Sequence, residues 1–248
     1  MKRILAVDVG GTKVKFLLSG ETEPRKLHSG PKLTPAQMVE GVRKATRDWR
    51  YDAVSIGLPA MVGANGPLAE PGNLGPGWVG FDFAAAFDCP VRIANDAAMQ
   101  ALGSYEGGRM LFLGFGTGLG SALIADHVIL PLELGDLPFR DATFSERFGR
   151  AALEEAGKKD WRRLVVRTLP ALQKAFMADY VVVGGGNAKH LLKKLPAGVR
   201  VGNNLNAFRG GFRLWGIEEV RTLHEEGAVR KPPRRAARRP ANGEWRVL

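Results

Sequence analysis

The stretch Ile4-Leu5-Ala6-Val7-Asp8-Val9-Gly10-Gly11-Thr12-Lys13-Val14-Lys15-Phe16-Leu17-Leu18 decides the fold. Ile4 to Val9 is a short apolar run that reads as a buried strand, Gly10-Gly11 as a turn, and Val14 to Leu18 as a strand returning beside the first. Asp8 puts a carboxylate at the end of the first strand, directly before two residues whose missing side chains let backbone N–H groups approach a ligand. Such a turn can form a concave nest of donors for phosphate, to which Thr12 adds a hydroxyl and Lys15 a charge. Asp8 is suited to hold Mg²⁺ through water. The same residues also make an ordinary hairpin in which Asp8 merely accepts turn amides, and the segment alone leaves both readings open.

The layout recurs at an offset of 105 positions. Leu111 to Leu113, then Gly114-Phe115-Gly116-Thr117-Gly118-Leu119-Gly120, then Ser121 to Ile124 repeat it, with Gly116-Thr117 falling on Gly11-Thr12. Only Gly11, Thr12 and Leu18 are identical to their counterparts, so the repeat is weak as statistics and stronger as architecture. It predicts a duplicated α/β chain in which two phosphate-gripping loops face each other across a cleft. The expected units are residues 1–107, residues 108–228 and a basic tail, 229–248, with the boundary near Glu106 to Arg109. Glycine at every second position from Gly114 to Gly120 leaves one side of the backbone nearly bare, for a phosphate or for tight strand packing. The spacing is neither a Walker loop nor a dinucleotide fingerprint.

Between the hairpins, Met38, Val42, Ala45 and Trp49 have helical spacing, which predicts a helix from Thr34 to Arg50 with Thr34 as N-cap and Pro35 at its first position. Tyr51 to Leu58 reads as a strand, and residues 59–80 as a long Gly/Pro loop of the functional or mobile kind. Asn95-Asp96 follows the strand Val91 to Ala94, so Asp96 either faces the cleft from a strand's carboxyl end or caps the next helix. Glu133 and Asp136 offer acidic groups near the same cleft, or are solvated loop charges. Phe144 to Gly157 and Asp160 to Phe176 read as helices, the second broken or kinked at Pro170. Asp179 to Val183 is a strand running into Gly184-Gly185-Gly186-Asn187 and a helix, Ala188 to Leu195, whose start could cradle an adenosine or its phosphates.

Composition narrows the class. With 45% apolar residues in 248, the chain has a real core, and 32 glycines are nearly twice the usual share, about 7%. No stretch of 18 apolar residues occurs, and the run after Met1-Lys2-Arg3 stops at Asp8, too short for a signal peptide, so a soluble cytoplasmic protein is expected. One cysteine, Cys89, and four scattered histidines give no metal-ligand spacing. The net charge is +11, and the tail concentrates Arg230, Lys231, Arg234, Arg235, Arg238, Arg239 and Arg246 against Glu244. The mild excess elsewhere suggests an anionic ligand rather than a nucleic-acid-binding fold, because aromatic residues interleaved with the bases are scarce. The tail itself reads either as a solubilising terminus or as an extension of an anion track that includes Lys13, Lys15, Lys189, Lys193 and Lys194.

In order and identity, Asp8-Val9-Gly10-Gly11-Thr12, Gly57-Leu58-Pro59-Ala60, Gly72-Asn73-Leu74 with Trp78, Asn95-Asp96-Ala97, Gly116-Thr117-Gly118, Glu133-Leu134-Gly135 and Val183-Gly184-Gly185-Gly186 resemble the ROK family of sugar kinases and repressors. Within it, the Asn-Leu-x-x-x-Trp-x-Gly spacing from Asn73 to Gly80 and the absence of a cysteine-rich zinc segment are most similar to the polyphosphate glucokinase subgroup. The resemblance implies a two-lobed actin/hexokinase-like (ribonuclease H-like) α/β fold and a kinase that phosphorylates a hexose, glucose first, with ATP or polyphosphate. It implies that Asp96 is the general base for the sugar 6-hydroxyl and that Asn73, Asn95 and Glu133 bind the other hydroxyls. Gly10, Gly11, Thr12, Lys15, Gly116, Thr117 and Gly118 would bind donor phosphates, Gly184 to Asn187 a nucleotide, and Asp8 would position Mg²⁺. Asp136 stands where the family usually has histidine, so it is expected to accept from a sugar hydroxyl and no zinc is expected. A repressor member would carry a winged-helix domain ahead of the hairpin at residue 4, so neither specific DNA binding nor a membrane partner is expected, and a homodimer is left open. The competing reading is a catalytically weak sugar-sensing or anion-binding protein on the same fold.

Overall fold

A computed structural model describes residues 2–192, 195–203, 205–217 and 245–247. The first half builds β1 (Ile4–Val9), β2 (Lys13–Leu18), β3 (Arg25–His28), α1 (Pro35–Ala45), β4 (Ala53–Leu58), a small hairpin of β5 (Val62–Gly63) and β6 (Gly66–Pro67), α2 (Phe83–Phe87), β7 (Val91–Asn95) and α3 (Asp96–Ser104). The main strands form one sheet in the order β3-β2-β1-β4-β7. Pairing is antiparallel across β1–β2 and β2–β3 and parallel across β1–β4 and β4–β7. Every residue of β4 is buried, as expected of a central strand covered on both faces. Thr34 caps α1 in a reciprocal capping box with Gln37. The helix stops at Ala45, short of the expected Arg50, because Thr46 turns out of helical geometry and its hydroxyl bonds back to the Val42 carbonyl.

The second half repeats the plan with β8 (Met110–Phe115), β9 (Leu119–Ala125), β10 (Val128–Leu132), a single 3₁₀ turn (Leu134–Asp136), the ribbon β11 (Pro138–Phe139) and β12 (Ala142–Thr143), α4 (Phe144–Phe148), α5 (Arg150–Ala175), β13 (Tyr180–Gly184), a 3₁₀ turn (Ala188–Leu191), β14 (Val199–Val201), α6 (Asn206–Arg213) and β15 (Arg246–Val247). Its sheet order is β14-β13-β8-β9-β10-β15. Reading β10-β9-β8-β13-β14 against β3-β2-β1-β4-β7 gives the same order and the same directions, so the three-identity repeat is a full topological duplication. The edge strand β15 is an addition, held parallel to β10, with the Trp245 ring 4.8 Å from that of His127 and 5.4 Å from that of Tyr105.

Three sequence expectations change here. The helix predicted from Phe144 to Gly157 is split at Gly149, whose approach to the Thr117 and Ser145 carbonyls admits no side chain. The sharp kink falls at Gly157 (φ 73°), and α5 then runs through Pro170 without a break. The helix expected over Ala188 to Leu195 is one 3₁₀ turn, Ala188–Leu191, while Lys193 and Lys194 lie outside the described residues. Of the basic tail, 229–244 and Leu248 also lie outside them.

Two helices join the sheets. A methyl group on Gly103 would overlap the Asn206 carbonyl, and one on Gly210 the Met99 carbonyl, so α3 and α6 meet backbone to backbone. On its other side α6 buries Phe208 and Phe212 against Ile4, Ala6, Leu17 and Ala53 of the first sheet, each ring contributing about 1.5–3 kcal/mol. Met99, Leu102, Phe112, Ile124 and Val182 fill the space between α3 and the second sheet.

Candidate functional site

β1, β4 and β7 end together. The register pairs Asp8 with Gly57, Gly57 with Ala94 and Leu58 with Asn95, so Asp8 and the Asn95–Asp96 junction share one edge, at the carboxyl ends of parallel strands. α3 begins with no connecting loop and lies directly on β4, since a methyl on Gly57 would come 2.5 Å from Met99 Cε and 3.5 Å from Asp96 Cα. Asn95 is the N-cap: its Oδ1 accepts from Ala97 N–H at 2.9 Å and Ala98 N–H at 3.1 Å, and its Nδ2 donates to the Ala60 carbonyl at 3.1 Å. The capping role that the sequence allowed to Asp96 therefore falls to its neighbour. Asp96 accepts from Ala97 N–H at 2.7 Å.

Electrostatics tie these groups to the second half of the chain. Burial, then the charge of Asp8, then that of Glu133 push the Asp96 carboxyl up to about 7, against the opposing Ala97 N–H. Burial also raises Asp8, with Lys15, its cross-strand partner, pulling the other way. Glu133 is raised by burial and by the neighbouring Asp136. Asp8 and Asp96 from the first sheet and Glu133 from the second thus converge on one cleft. Ser121 sets Glu133 in place from both sides, its hydroxyl donating to the Leu132 carbonyl at 2.7 Å and accepting from Leu134 N–H at 3.1 Å.

Asn73 lies on the first hairpin turn. A methyl on Gly11 would come 2.5 Å from its Nδ2, and its Oδ1 is buried with no hydrogen-bond partner among the described residues. The turn beneath is closed by Gly10 N–H to the Lys13 carbonyl at 3.0 Å, and the Thr12 carbonyl accepts from Ser29 N–H at 3.1 Å.

The second hairpin sorts its glycines by neighbour. Gly114 packs on Phe112, Gly118 on Ser145 and Gly120 on Ala97, which brings β9 against the start of α3, whereas Gly116 alone faces open space. Tight packing thus accounts for Gly114, Gly118 and Gly120. Thr117 accepts from Arg150 N–H at 3.1 Å through its carbonyl, and Asn187 Nδ2 donates to the Gly116 carbonyl at 3.0 Å. Asn187 is therefore spent on holding this loop. Gly184 is pressed by the Phe112 ring and Gly185 (φ 80°) by the Phe115 backbone, leaving Gly186 open. Sequence reasoning missed Ser121 and Ser145. Ser145 Oγ accepts from Leu119 N–H at 3.2 Å and abuts both Gly118 and Gly135, contacts made across 26 residues and carrying no local signature.

Among the described residues no group of three or more His, Cys, Asp or Glu side chains is placed to hold a metal, and no helix is long and apolar enough to cross a membrane.

Two duplicated sheets enclosing a cleft, each with a glycine–threonine turn at its rim, define the actin/hexokinase-like fold. The solved structures of similar fold include an inorganic polyphosphate/ATP-glucomannokinase from Arthrobacter sp. strain KM (TM-score 0.73, 22% identity, 85% of this chain and 96% of that one). A ROK family glucokinase from Streptomyces griseus, in complex with glucose and AMPPNP, superposes with a TM-score of 0.58 at 17% identity, over 84% of this chain and 97% of that one. The ROK family profile matches residues 4–130, half of the chain, and the chain belongs to that family. In sequence it is 26% identical over 216 residues to a polyphosphate glucokinase of Mycobacterium tuberculosis (strain ATCC 25177 / H37Ra), covering 77% of this chain and 80% of the relative.

Proposed function

We propose that this protein transfers a phosphoryl group from polyphosphate or ATP to the 6-hydroxyl of a hexose, glucose above others. It is a hexokinase-type phosphotransferase, and the observation that carries the finer reading is the position of Asp96 at the carboxyl end of β7, within electrostatic reach of Asp8 and Glu133, which with burial push its carboxyl up to about 7. A base with a pKa near the working pH combines availability with driving force for proton transfer, worth about 10²- to 10⁴-fold. Asp96 takes the hydroxyl proton as the sugar oxygen bonds to phosphorus and the donor's bridging P–O bond breaks. Asn73, Asn95, Glu133 and Asp136 hold the remaining hydroxyls, Asn73 by its buried unpaired Oδ1. The backbone of Gly10-Gly11-Thr12 and Gly116-Thr117-Gly118 holds the phosphates, with Lys15 adding charge.

Asp8 is the residue that would hold Mg²⁺ through water. Its hard carboxylate oxygens suit the ion, which typically keeps several waters and phosphate ligands, and the residue stands at the end of β1 just ahead of the Gly10-Gly11 turn. When bound, Mg²⁺ neutralises charge on the transferring phosphates. Burial, then the charges of Lys158 and Lys189, hold His190 below its usual pKa, so two cations lie near His190 on the 3₁₀ turn Ala188–Leu191. A coupled assay with glucose, testing ATP and polyphosphate separately, checks the proposal: turnover that falls at least about 100-fold in Asp96→Asn is expected, and no turnover with either donor refutes it.

A further inference from the structure

Glu70 belongs to none of the motifs, yet its side chain organises the loop that carries Asn73. Oε2 accepts from Trp78 N–H at 3.0 Å and Oε1 from Val79 N–H at 3.2 Å, so one carboxylate closes residues 70 to 79 into a ring with Asn73 inside it. The ring is pinned elsewhere by Leu74 N–H to the Pro71 carbonyl (3.2 Å), by Gly75 N–H to the Leu33 carbonyl (3.0 Å) and by the wholly buried Trp78. Val79, at the end of the ring, is exposed. Hydrogen bonds to an ionised acceptor are about twice as strong as neutral ones. The Trp78 N–H above all holds the Glu70 carboxyl below its usual range, which keeps the clamp charged at neutral pH.

We infer that Glu70 is a positioning residue that sets hexose affinity: by clamping Trp78 and Val79 it keeps Asn73 against Gly11, where its Oδ1, without a protein partner among the described residues, serves as acceptor for a sugar hydroxyl. The inference rests on the proposed hexose site. It distinguishes hexose from donor, because the donor loop at Gly116 to Gly118 is held by Asn187, Ser145 and Arg150, and the turn at Gly10 to Thr12 is closed by its own Gly10 N–H to Lys13 carbonyl bond and by Ser29 N–H on the Thr12 carbonyl, so loss of the clamp frees Asn73 and leaves both donor turns closed.

The test compares Glu70→Ala and Glu70→Gln with the wild-type protein. The kinetic readouts are KM for glucose and for each donor, and amide exchange at Trp78 and Val79 is followed beside them. Glu70→Ala should raise the glucose KM about tenfold with the donor KM within about twofold, and Glu70→Gln, which keeps one acceptor oxygen, should fall between. Both amides should exchange slowly in the wild type and fast in Glu70→Ala. An unchanged glucose KM, or glucose and donor KM rising together, overturns the inference. Should the wild type turn over no hexose, the proposed function fails separately, and the exchange data still decide the clamp: equal exchange in wild type and Glu70→Ala overturns it.

Discussion

By cross-strand register Asp8, paired with Lys15, corresponds to Gly114, paired with Gly120, while Gly11-Thr12 of the first turn matches Gly116-Thr117 of the second. The strands around these positions pair in the same order and directions. The glycine–threonine turn is thus common to both hairpins, and the charged groups that flank it belong to the first alone. The second uses the freed positions for packing: Gly120 lets β9 lie on Ala97, one residue from Asp96, and Gly118 makes room for Ser145. A sheet topology survives large sequence change because it asks only for buried apolar strands, whereas one proton acceptor is enough for one reaction and need not be duplicated.

The comparison breaks most severely at Asp96. Asp96→Asn should cut kcat by at least about 100-fold while leaving glucose binding intact. It should also raise, not lower, the melting temperature at neutral pH. With the native pKa near 7 against 3.8, the folded state binds the proton more tightly, so stability declines as pH rises between those values, and the neutral amide removes that loss. Melting curves of both proteins near about pH 5 and about pH 8 check the sign, the gap between them widening at the higher pH.

Within the second hairpin, Gly116 and Gly118 should separate. Gly118→Ala drives a methyl to 2.9 Å from Ser145 Oγ and should lower the melting temperature as well as raise the donor KM. Gly116→Ala has space for its methyl and should leave the melting temperature unchanged while raising the donor KM, because the methyl stands where phosphate approaches. Donor titrations beside thermal unfolding distinguish the two. A smaller effect belongs to Glu133→Gln and Asp136→Asn, each expected to raise the glucose KM about three- to tenfold with little change in stability. Smallest is Ser145→Ala, which removes the acceptor for Leu119 N–H and should cost about 1 kcal/mol of stability, read from denaturant unfolding.

What was legible in the sequence was local or periodic. The two hairpins, the Thr34 cap and the strand-end position of Asp96 follow from runs of a few residues, and the motif order led to the family. The kink at Gly157 instead of Pro170 was not legible: a single glycine in left-handed geometry interrupts α5, while a proline well inside a long helix is accommodated. Glu70, Ser121 and Ser145 were missed for a different reason. Each acts through hydrogen bonds to backbone 8 to 26 residues away, and a serine or glutamate in a loop looks the same whether or not such a partner exists. Asn95 and Asn187, both singled out as ligand contacts, also make side-chain hydrogen bonds inside the protein, which no local pattern announced.

The central claim, that a raised carboxylate on the cleft floor is the base for hexose phosphorylation, is tested most directly by the pH dependence of kcat/KM for glucose. A base must be deprotonated to act, so the rate should fall tenfold per pH unit on the acid side of an apparent pKa near 7, and Asp96→Asn should lack that limb in its residual activity. A profile flat from about pH 5 to about pH 8, or an acid limb that persists unchanged in Asp96→Asn, would contradict the account.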